Sequence, residues 1–550
     1  SNDNKYLGYS IQRSGSDWRE FHIKDLSTGN NLSDHLKWIK FSGMSWSGDG
    51  FYYNSFPKPN EGGELSDINQ NSKVFYHKIG TSQREDTIIF SDPNNPKISS
   101  YPSTTDDGRF LMIYRTKGTY GQSLMVSDLN KPDNEFINII NDYSSEISII
   151  DHVDGKLIAI TDRNAPKKKV VLIDPFNPKE SSWKTIIPEQ DNVLSSINRI
   201  GGKLITHYME DIISKWIIFD IDGKQIKEIS LPGSGVSYGF GGNNNQTISW
   251  YSFQSLVHPP TIYIYNLSNY TSNVYYESKA KFDKSKYILK QNFYTSKDGT
   301  RISIFIAHDK NLVLDNMRPT LLYGYGGFNI TKKPYFNKTL SIIFENGGVY
   351  ALANIRGGGE YGQEWHEAGM LDKKQNVFND FIAAGEFLIT EGYTSPERLA
   401  IRGGSNGGTL IGAVINQKPN LFRVAFPEVG VMDMLRYEKF TIGWAWAVEY
   451  GSVKNKKDCE NLLTYSPLHN VKEQTYPSVL VYTSDHDDRV VPAHSFKYAA
   501  RLQNHQTSDD PILIRIGSST GHGAGRPTKM KIKEYAEKWA FMFYEMGVDI

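Results

Sequence analysis

Arg402-Gly403-Gly404-Ser405-Asn406-Gly407-Gly408 is the stretch on which the reading of this chain turns. The β-like run Leu399-Ala400-Ile401 leads into it, and the helix-like run from Thr409 to Ile415 leads out. A serine on so sharp a strand-to-helix turn needs glycines two residues to either side, here Gly403 and Gly407. Only glycine lets backbone pass that closely and leaves the hydroxyl exposed. A helix that starts just after Ser405 also offers free backbone N–H groups to a developing oxyanion, that of Asn406 first among them. Gly-rich strand–helix turns bind phosphate as well, so the stretch alone leaves a nucleophile elbow and a phosphate cradle both open.

The surrounding half of the chain decides between them. From about Gln291 onward, strand-like runs (302–306, 320–323, 348–353, 399–401, 478–482, 512–516) alternate with helix-like ones (378–390, 493–503, 529–546). Alternation of this kind predicts a mostly parallel sheet with helices on both faces and ligands at the carboxyl ends of the strands. Asp485-His486-Asp487-Asp488-Arg489 follows one such strand and Gly521-His522-Gly523-Ala524-Gly525 follows another. A serine nucleophile needs a base for its proton and a carboxylate to orient that base. Ser405, an aspartate at 487 or 488, and His522 stand in the Ser…Asp…His order of α/β-hydrolases. An aspartate cluster is usually a solvated loop and a histidine between glycines usually a turn, but their joint placement at strand ends points to acyl transfer.

Residues 1–290 read differently, as short β runs separated by turns with little helical periodicity. A polar turn followed by an aromatic or aliphatic strand recurs with turn positions at 4, 50, 108, 155, 202 and 245. That spacing fits propeller blades of roughly 40–50 residues, with an inserted loop at Pro57-Lys58-Pro59-Asn60-Glu61-Gly62-Gly63. A β-sandwich of unrelated hairpins is the alternative, and it rarely keeps so even a spacing. Six blades are visible, and the first turn stands at the very start, so the chain is expected to open in mid-fold. The expected architecture is thus a propeller over residues 1–290 and an α/β-hydrolase domain over 291–550.

Composition narrows the function classes. Lys+Arg and Asp+Glu are equal at 61 each, which argues against nucleic acid and anionic membrane as partners. Cys459 is the one cysteine, which excludes an intrachain disulfide and suits a reducing compartment. Asn-x-Ser/Thr triplets occur at Asn31, Asn245, Asn266, Asn269, Asn329 and Asn337, but a glycan on Asn329 would crowd the expected site. A soluble, cytoplasmic monomer is the expectation, and triad chemistry requires no metal or cofactor.

Long strings now identify a resemblance: Leu322-Tyr323-Gly324-Tyr325-Gly326-Gly327-Phe328-Asn329-Ile330, Ala353 to Gly362 (Ala-Asn-Ile-Arg-Gly-Gly-Gly-Glu-Tyr-Gly), Gly403 to Gly408, Asp485 to Pro492, and Gly521 to Gly525. The match begins at Ser14-Gly15-Ser16-Asp17-Trp18. The chain resembles the prolyl oligopeptidase family of serine peptidases, in which a seven-bladed propeller caps an α/β-hydrolase domain. The resemblance implies cleavage of short peptides after proline, with Ser405 as nucleophile, His522 as base and Asp487 in preference to Asp488 as its orienter. It implies the Tyr325 hydroxyl as a second oxyanion donor beside Asn406. It also implies Trp446 as a platform for the proline ring and Arg489 as donor to the preceding peptide carbonyl. Phe328, Val431, Ile442, Tyr450 and Val490 match the proline-pocket lining, and Phe41 and Arg115 match propeller residues that face substrate. Rival expectations are the same architecture with another specificity, an acyl-enzyme captured by an amine in ligation or macrocyclisation, and an inactive interaction protein.

Two departures from the family stand out. Its N-terminal segment and first blade are missing, so the chain is expected to be a fragment. Glycines, Gly43 and Gly118, stand where the family often carries cysteines near the pocket. Thiol reagents are therefore expected to inhibit weakly; rapid, substrate-protected inactivation by a bulky maleimide would overturn this.

Overall fold

In the computed structural model, which describes residues 1–133 and 135–549, the β-rich half forms six small antiparallel sheets. The first has three strands (Tyr6–Ile11, Arg19–Asp25, Asn31–Ile39) and the other five have four each, all joined in simple sequence order. The recurring turns at 50, 108, 155, 202 and 245 lie at the hairpin between the first and second strands of the four-stranded sheets, and Asn4 directly precedes the three-stranded one. Alternating residues bury one face of each strand against the next sheet. Phe21, Ile23, Leu36 and Ile39 of the first sheet thus meet Phe51 and Tyr53 of the second. Face-to-face stacking of this kind, repeated around an axis, is how a propeller covers its sheets without long free edges. The 57–63 loop falls between the strands Gly50–Ser55 and Lys73–Lys78, where the excess spacing predicted an insertion.

The last small sheet ends with Thr271–Glu277, and Tyr287–Thr295 opens a single eight-stranded sheet. Its order across the sheet is Tyr287–Thr295, Arg301–Asp309, Val349–Asn354, Thr320–Tyr323, Leu399–Gly404, Val424–Glu428, Ser478–Ser484 and Ile512–Gly517. The first two pairings are antiparallel and the rest parallel. Successive residues face opposite layers. Ile302, Ile304 and Ile306 pack with the helices Gln375–Thr390, Asn406–Gln417 and Ala493–His505. Phe305 and Ala307 pack instead with Trp539, Met542 and Phe543 of Thr528–Glu545. The sheet is covered on both faces, so its central strands are near-continuous apolar runs. Two of its strands escaped the sequence reading. Tyr287–Thr295 carries Lys290-Gln291-Asn292 at a half-exposed edge, and Val424–Glu428 is short and contains Pro427.

Val424–Glu428 supports the elbow. The Glu428 carbonyl accepts the Ser405 N–H at 2.9 Å. Its carboxylate takes Arg402 Nε and Nη2 at 2.9 and 3.0 Å and Lys538 Nζ at 2.6 Å. Burial alone would raise the Glu428 pKa, but Arg402 and Lys538 hold it down to about 2, so the carboxylate is charged across the working range. Neutralising it strands Arg402 beneath Ser405. Glu428→Gln is expected to lower stability by about 3 kcal/mol, the usual cost of removing one partner of a buried ion pair; an unchanged urea midpoint would show that the cluster is not structural.

Candidate active site

Ser405 stands at the end of the strand Leu399–Gly404 with φ 60° and ψ −122°, immediately before the helix Asn406–Gln417. A non-glycine residue in this region is strained by of order 1–3 kcal/mol, and surrounding structure must hold it there. The restraint is steric. A Cβ on Gly403 would lie 2.3 Å from the Gly407 carbonyl oxygen, and one on Gly408 would lie 2.4 Å from that of Glu428. The turn can close only because both lack one. Asn406 is the first helical residue, so its N–H has no acceptor within the helix. Its side chain is fixed by an Nδ2–H···O bond of 2.6 Å to the Tyr325 carbonyl and by the Tyr450 hydroxyl, which donates to Oδ1 at 2.9 Å.

Of the two adjacent aspartates, Asp487 is the one that meets His522. Asp487 is fully buried; its Oδ1 accepts the N–H groups of Arg489 and Val490, and its Oδ2 lies 2.8 Å from His522 Nδ1. Asp488 turns the other way, toward the propeller, where its Oδ1 accepts the Asp17 N–H at 2.8 Å and its Oδ2 lies 2.9 Å from Lys40 Nζ. The His522 loop is seated against the propeller too, because Gly521 and Gly525 pass so near Gly15 that a Cβ on either would approach its backbone within 2.6 Å.

Ser405, Asn406, Tyr325, Phe328, Val431, Trp446, Tyr450, Arg489 and Val490 line one cavity of about 290 Å³. Burial pushes the Tyr325 phenol well above its ordinary range, so it stays protonated and able to donate. Phe41 and Ile442 lie instead in an adjoining cavity of about 310 Å³ that shares Thr119, Trp446 and Arg489 with the first. Arg115 lines neither: its guanidinium is taken up by Asp92 and lies over the Phe90 ring. Gly118 sits against Val448 Cγ2, which a Cβ would approach to 2.5 Å, whereas at Gly43 the space is open.

Several groups at the site gave no sequence signal of their own. Asp17, from the propeller, holds the Arg489 fork at 2.8 Å through Nε and 2.6 Å through Nη2. Lys332 Nζ lies 3.8 Å from the centre of the Tyr325 ring. Burial draws Lys332 down to about 8, opposed by Glu360, and pushes Glu360 up to about 7. Positive charge beside Tyr325 is therefore present at low pH and fades as pH rises through these values. A half-exposed cation on the face of a ring is worth about 1 kcal/mol, and a gain of that size at a developing oxyanion is about fivefold in rate. The kcat ratio of wild type to Lys332→Met is expected to be about 5 at acid pH and to fall toward 1 above about pH 8; a pH-independent ratio would rule the contribution out.

Residues 1–278 match the family model described as the prolyl oligopeptidase N-terminal beta-propeller domain, and residues 334–549 match that of the prolyl oligopeptidase family. The chain is 47% identical to a prolyl endopeptidase of Elizabethkingia meningoseptica over 98% of its own length and 77% of the relative's. It is 32% identical to a dual function macrocyclase-peptidase of Galerina marginata, across all of this chain and 79% of that one. A solved structure from a study of two prolyl endopeptidases superposes with a TM-score of 0.95 at 33% identity, over 100% of this chain and 81% of that one. With propeller, sheet and serine elbow all matched, the chain belongs to the prolyl oligopeptidase family.

Proposed function

We propose that the protein is a serine endopeptidase that hydrolyses short peptides on the carboxyl side of proline. The observation that carries this reading is the single cavity in which Ser405, Tyr325 and Asn406 face a wall of Trp446, Phe328, Val431, Tyr450 and Val490. An aromatic and aliphatic wall of this kind suits a pyrrolidine ring, which stacks on an indole without asking for hydrogen bonds. Arg489 closes its polar end. Asp17 occupies Nε and Nη2, and Nη1 has no hydrogen-bond partner among the described residues, so the Nη1 N–H groups are free for a substrate carbonyl.

In this reading Ser405 Oγ attacks the prolyl carbonyl while His522 takes its proton. Asp487 holds Nδ1 and stabilises the cation that forms. The oxyanion settles between the Asn406 N–H and the Tyr325 hydroxyl, donors already in place before charge develops. His522 returns the proton to the leaving amine, and water then repeats the sequence on the acyl-enzyme. Propeller residues Phe41, Tyr101 and Thr119 roof the cavities, which fits short peptides in preference to folded chains. All the groups used come from one chain, so the reading needs no second copy. No described helix is long and apolar enough to cross a membrane, and the single cysteine fits the cytoplasm. Transfer of the acyl group to an amine would use the same intermediate, but no residue at the site favours it.

Cleavage of a blocked Gly-Pro reporter is expected, with little on blocked Arg or on free-amine Gly-Pro. Ser405→Ala should lose at least about 10⁴-fold in kcat. Preference for blocked Arg would refute the proline assignment, and a cyclic product from a longer peptide would favour the ligase reading.

A further inference from the structure

Behind the oxyanion donors lies a second charged cluster that contributes nothing to the cavity lining. Lys374, Glu449 and His366 are each about 1% exposed. Lys374 Nζ donates to Glu449 Oε1 at 2.8 Å, and His366 Nε2 lies 2.8 Å from Glu449 Oε2. The three come from separate elements: the residue preceding the helix Gln375–Thr390, the short helix Ala447–Tyr450, and the helix Gln363–Glu367. A buried ion pair of this kind adds little net stability, because desolvating the charges offsets their attraction; an apolar set of the same volume would hold these elements together as well.

What an apolar set could not do is donate. Lys374 Nζ also reaches the Gly326 carbonyl at 3.1 Å, the peptide next to Tyr325. That segment has almost no slack. Gly326 has φ +65°, and a Cβ there would lie 2.3 Å from Val377; one on Gly327 would lie 2.6 Å from the Asn406 amide. The Tyr325 carbonyl is in turn held by Asn406 Nδ2, and Asn406 by the hydroxyl of Tyr450. Tyr450 adjoins Glu449 in sequence, and Lys374 Nζ sits 5.3 Å from its ring centre. Both consecutive carbonyls, 325 and 326, are thus pinned from the side away from substrate. One line of contacts runs from His366 through Glu449 and Lys374 to the backbone that carries the Tyr325 hydroxyl.

We propose that Lys374, Glu449 and His366 are positioning residues for the oxyanion site, with Lys374 acting on Tyr325 through the Gly326 carbonyl. The inference rests on the assignment of Ser405, Tyr325 and Asn406 under the proposed function, but not on proline specificity. Without the ammonium the Gly326 carbonyl is a buried acceptor with one partner fewer, and the Tyr325 segment can rotate to find another. A shift of about 1 Å at a preorganised donor costs about 100-fold in rate while leaving ground-state binding in the pocket largely intact.

The test compares wild type, Lys374→Met and Glu449→Gln on whichever reporter the wild type cleaves, so that a wrong specificity assignment does not obscure it. Loss of all cleavage in Ser405→Ala checks the underlying assignment separately. For Lys374→Met, kcat is expected to fall about 100-fold with KM within about twofold. Affinity for a blocked peptide aldehyde, whose carbonyl adds the Ser405 O–H and places its oxygen in the oxyanion site, should fall by the same factor. Glu449→Gln, which keeps size and shape, should show the same pattern more weakly. In a Tyr325→Phe background, where the donor is already gone, Lys374→Met should add less than about threefold. An unchanged kcat in the folded variants, a loss that is fully additive with Tyr325→Phe, or a loss carried by KM would each overturn the proposal. Failure of both variants to fold would do so as well, since the cluster would then be a stability element.

Discussion

Everything in the catalytic half is arranged around one unfavourable backbone conformation. Ser405 is held at positive φ, and nothing local rewards it. The turn is clamped between the Glu428 carbonyl, which takes its N–H, and the passing backbone of Gly407 and Gly408. Those contacts are available only if Val424–Glu428 lies beside Leu399–Gly404 in parallel register, with Gly404 opposite Glu428. The buried Glu428 carboxylate then ties Arg402, one strand over, to Lys538 of the C-terminal helix. The strain at Ser405 is thus offset by the packing of the sheet and its two helical layers.

A second set of charges joins the halves of the molecule at the same place. Asp17 and Lys40 of the first sheets face Arg489 and Asp488 of the loop that also carries Asp487. The Lys40–Asp488 pair is fully buried and would leave a costly unpaired charge if the halves separated without water entering, whereas Arg489 keeps one side open to solvent while Asp17 is buried. The propeller therefore does more than roof the cavity. It sets the direction of Arg489, the group proposed to receive the substrate carbonyl, and it packs Gly15 against the loop bearing His522.

The sequence disclosed what is local and repetitive. The elbow needs glycines at fixed offsets, blades need a turn at each hairpin, and a parallel sheet needs buried apolar runs, so 399–408, the six turns and most strands could be placed before any coordinates. Asp487 and Asp488 could not be separated by spacing, since adjacent residues at a strand end point in different directions and only the register of the loop decides which meets His522. The resemblance puts Arg115 on the substrate side; in the structure Asp92, just past the strand Thr87–Ser91 of the preceding sheet, pairs with its guanidinium. Lys374 carried no motif because its partners, Gly326 and Glu449, lie far off in the chain, and Asp17, although inside a matched string, meets a residue 472 positions away. Long-range electrostatic pairs leave no periodicity behind.

The same logic explains why the oxyanion site is the part least visible in sequence and most heavily built in structure. A nucleophile and its base can be recognised by residue type, but an oxyanion donor is a matter of position, and a backbone N–H belongs to every residue. What distinguishes the peptide at Asn406 is its place at a helix start, and what distinguishes Tyr325 is the support beneath it. Lys332 covers its ring, Asn406 holds its carbonyl, and the Lys374–Glu449–His366 cluster holds the next peptide. The propeller reaches this support too, since the Tyr120 ring meets His366 edge-on at 5.8 Å and the Pro166 carbonyl accepts the Gln363 N–H at 3.0 Å. The two proposed donors thus differ in kind: Asn406 is fixed by the elbow itself, whereas Tyr325 is fixed by contacts that draw on both halves of the chain.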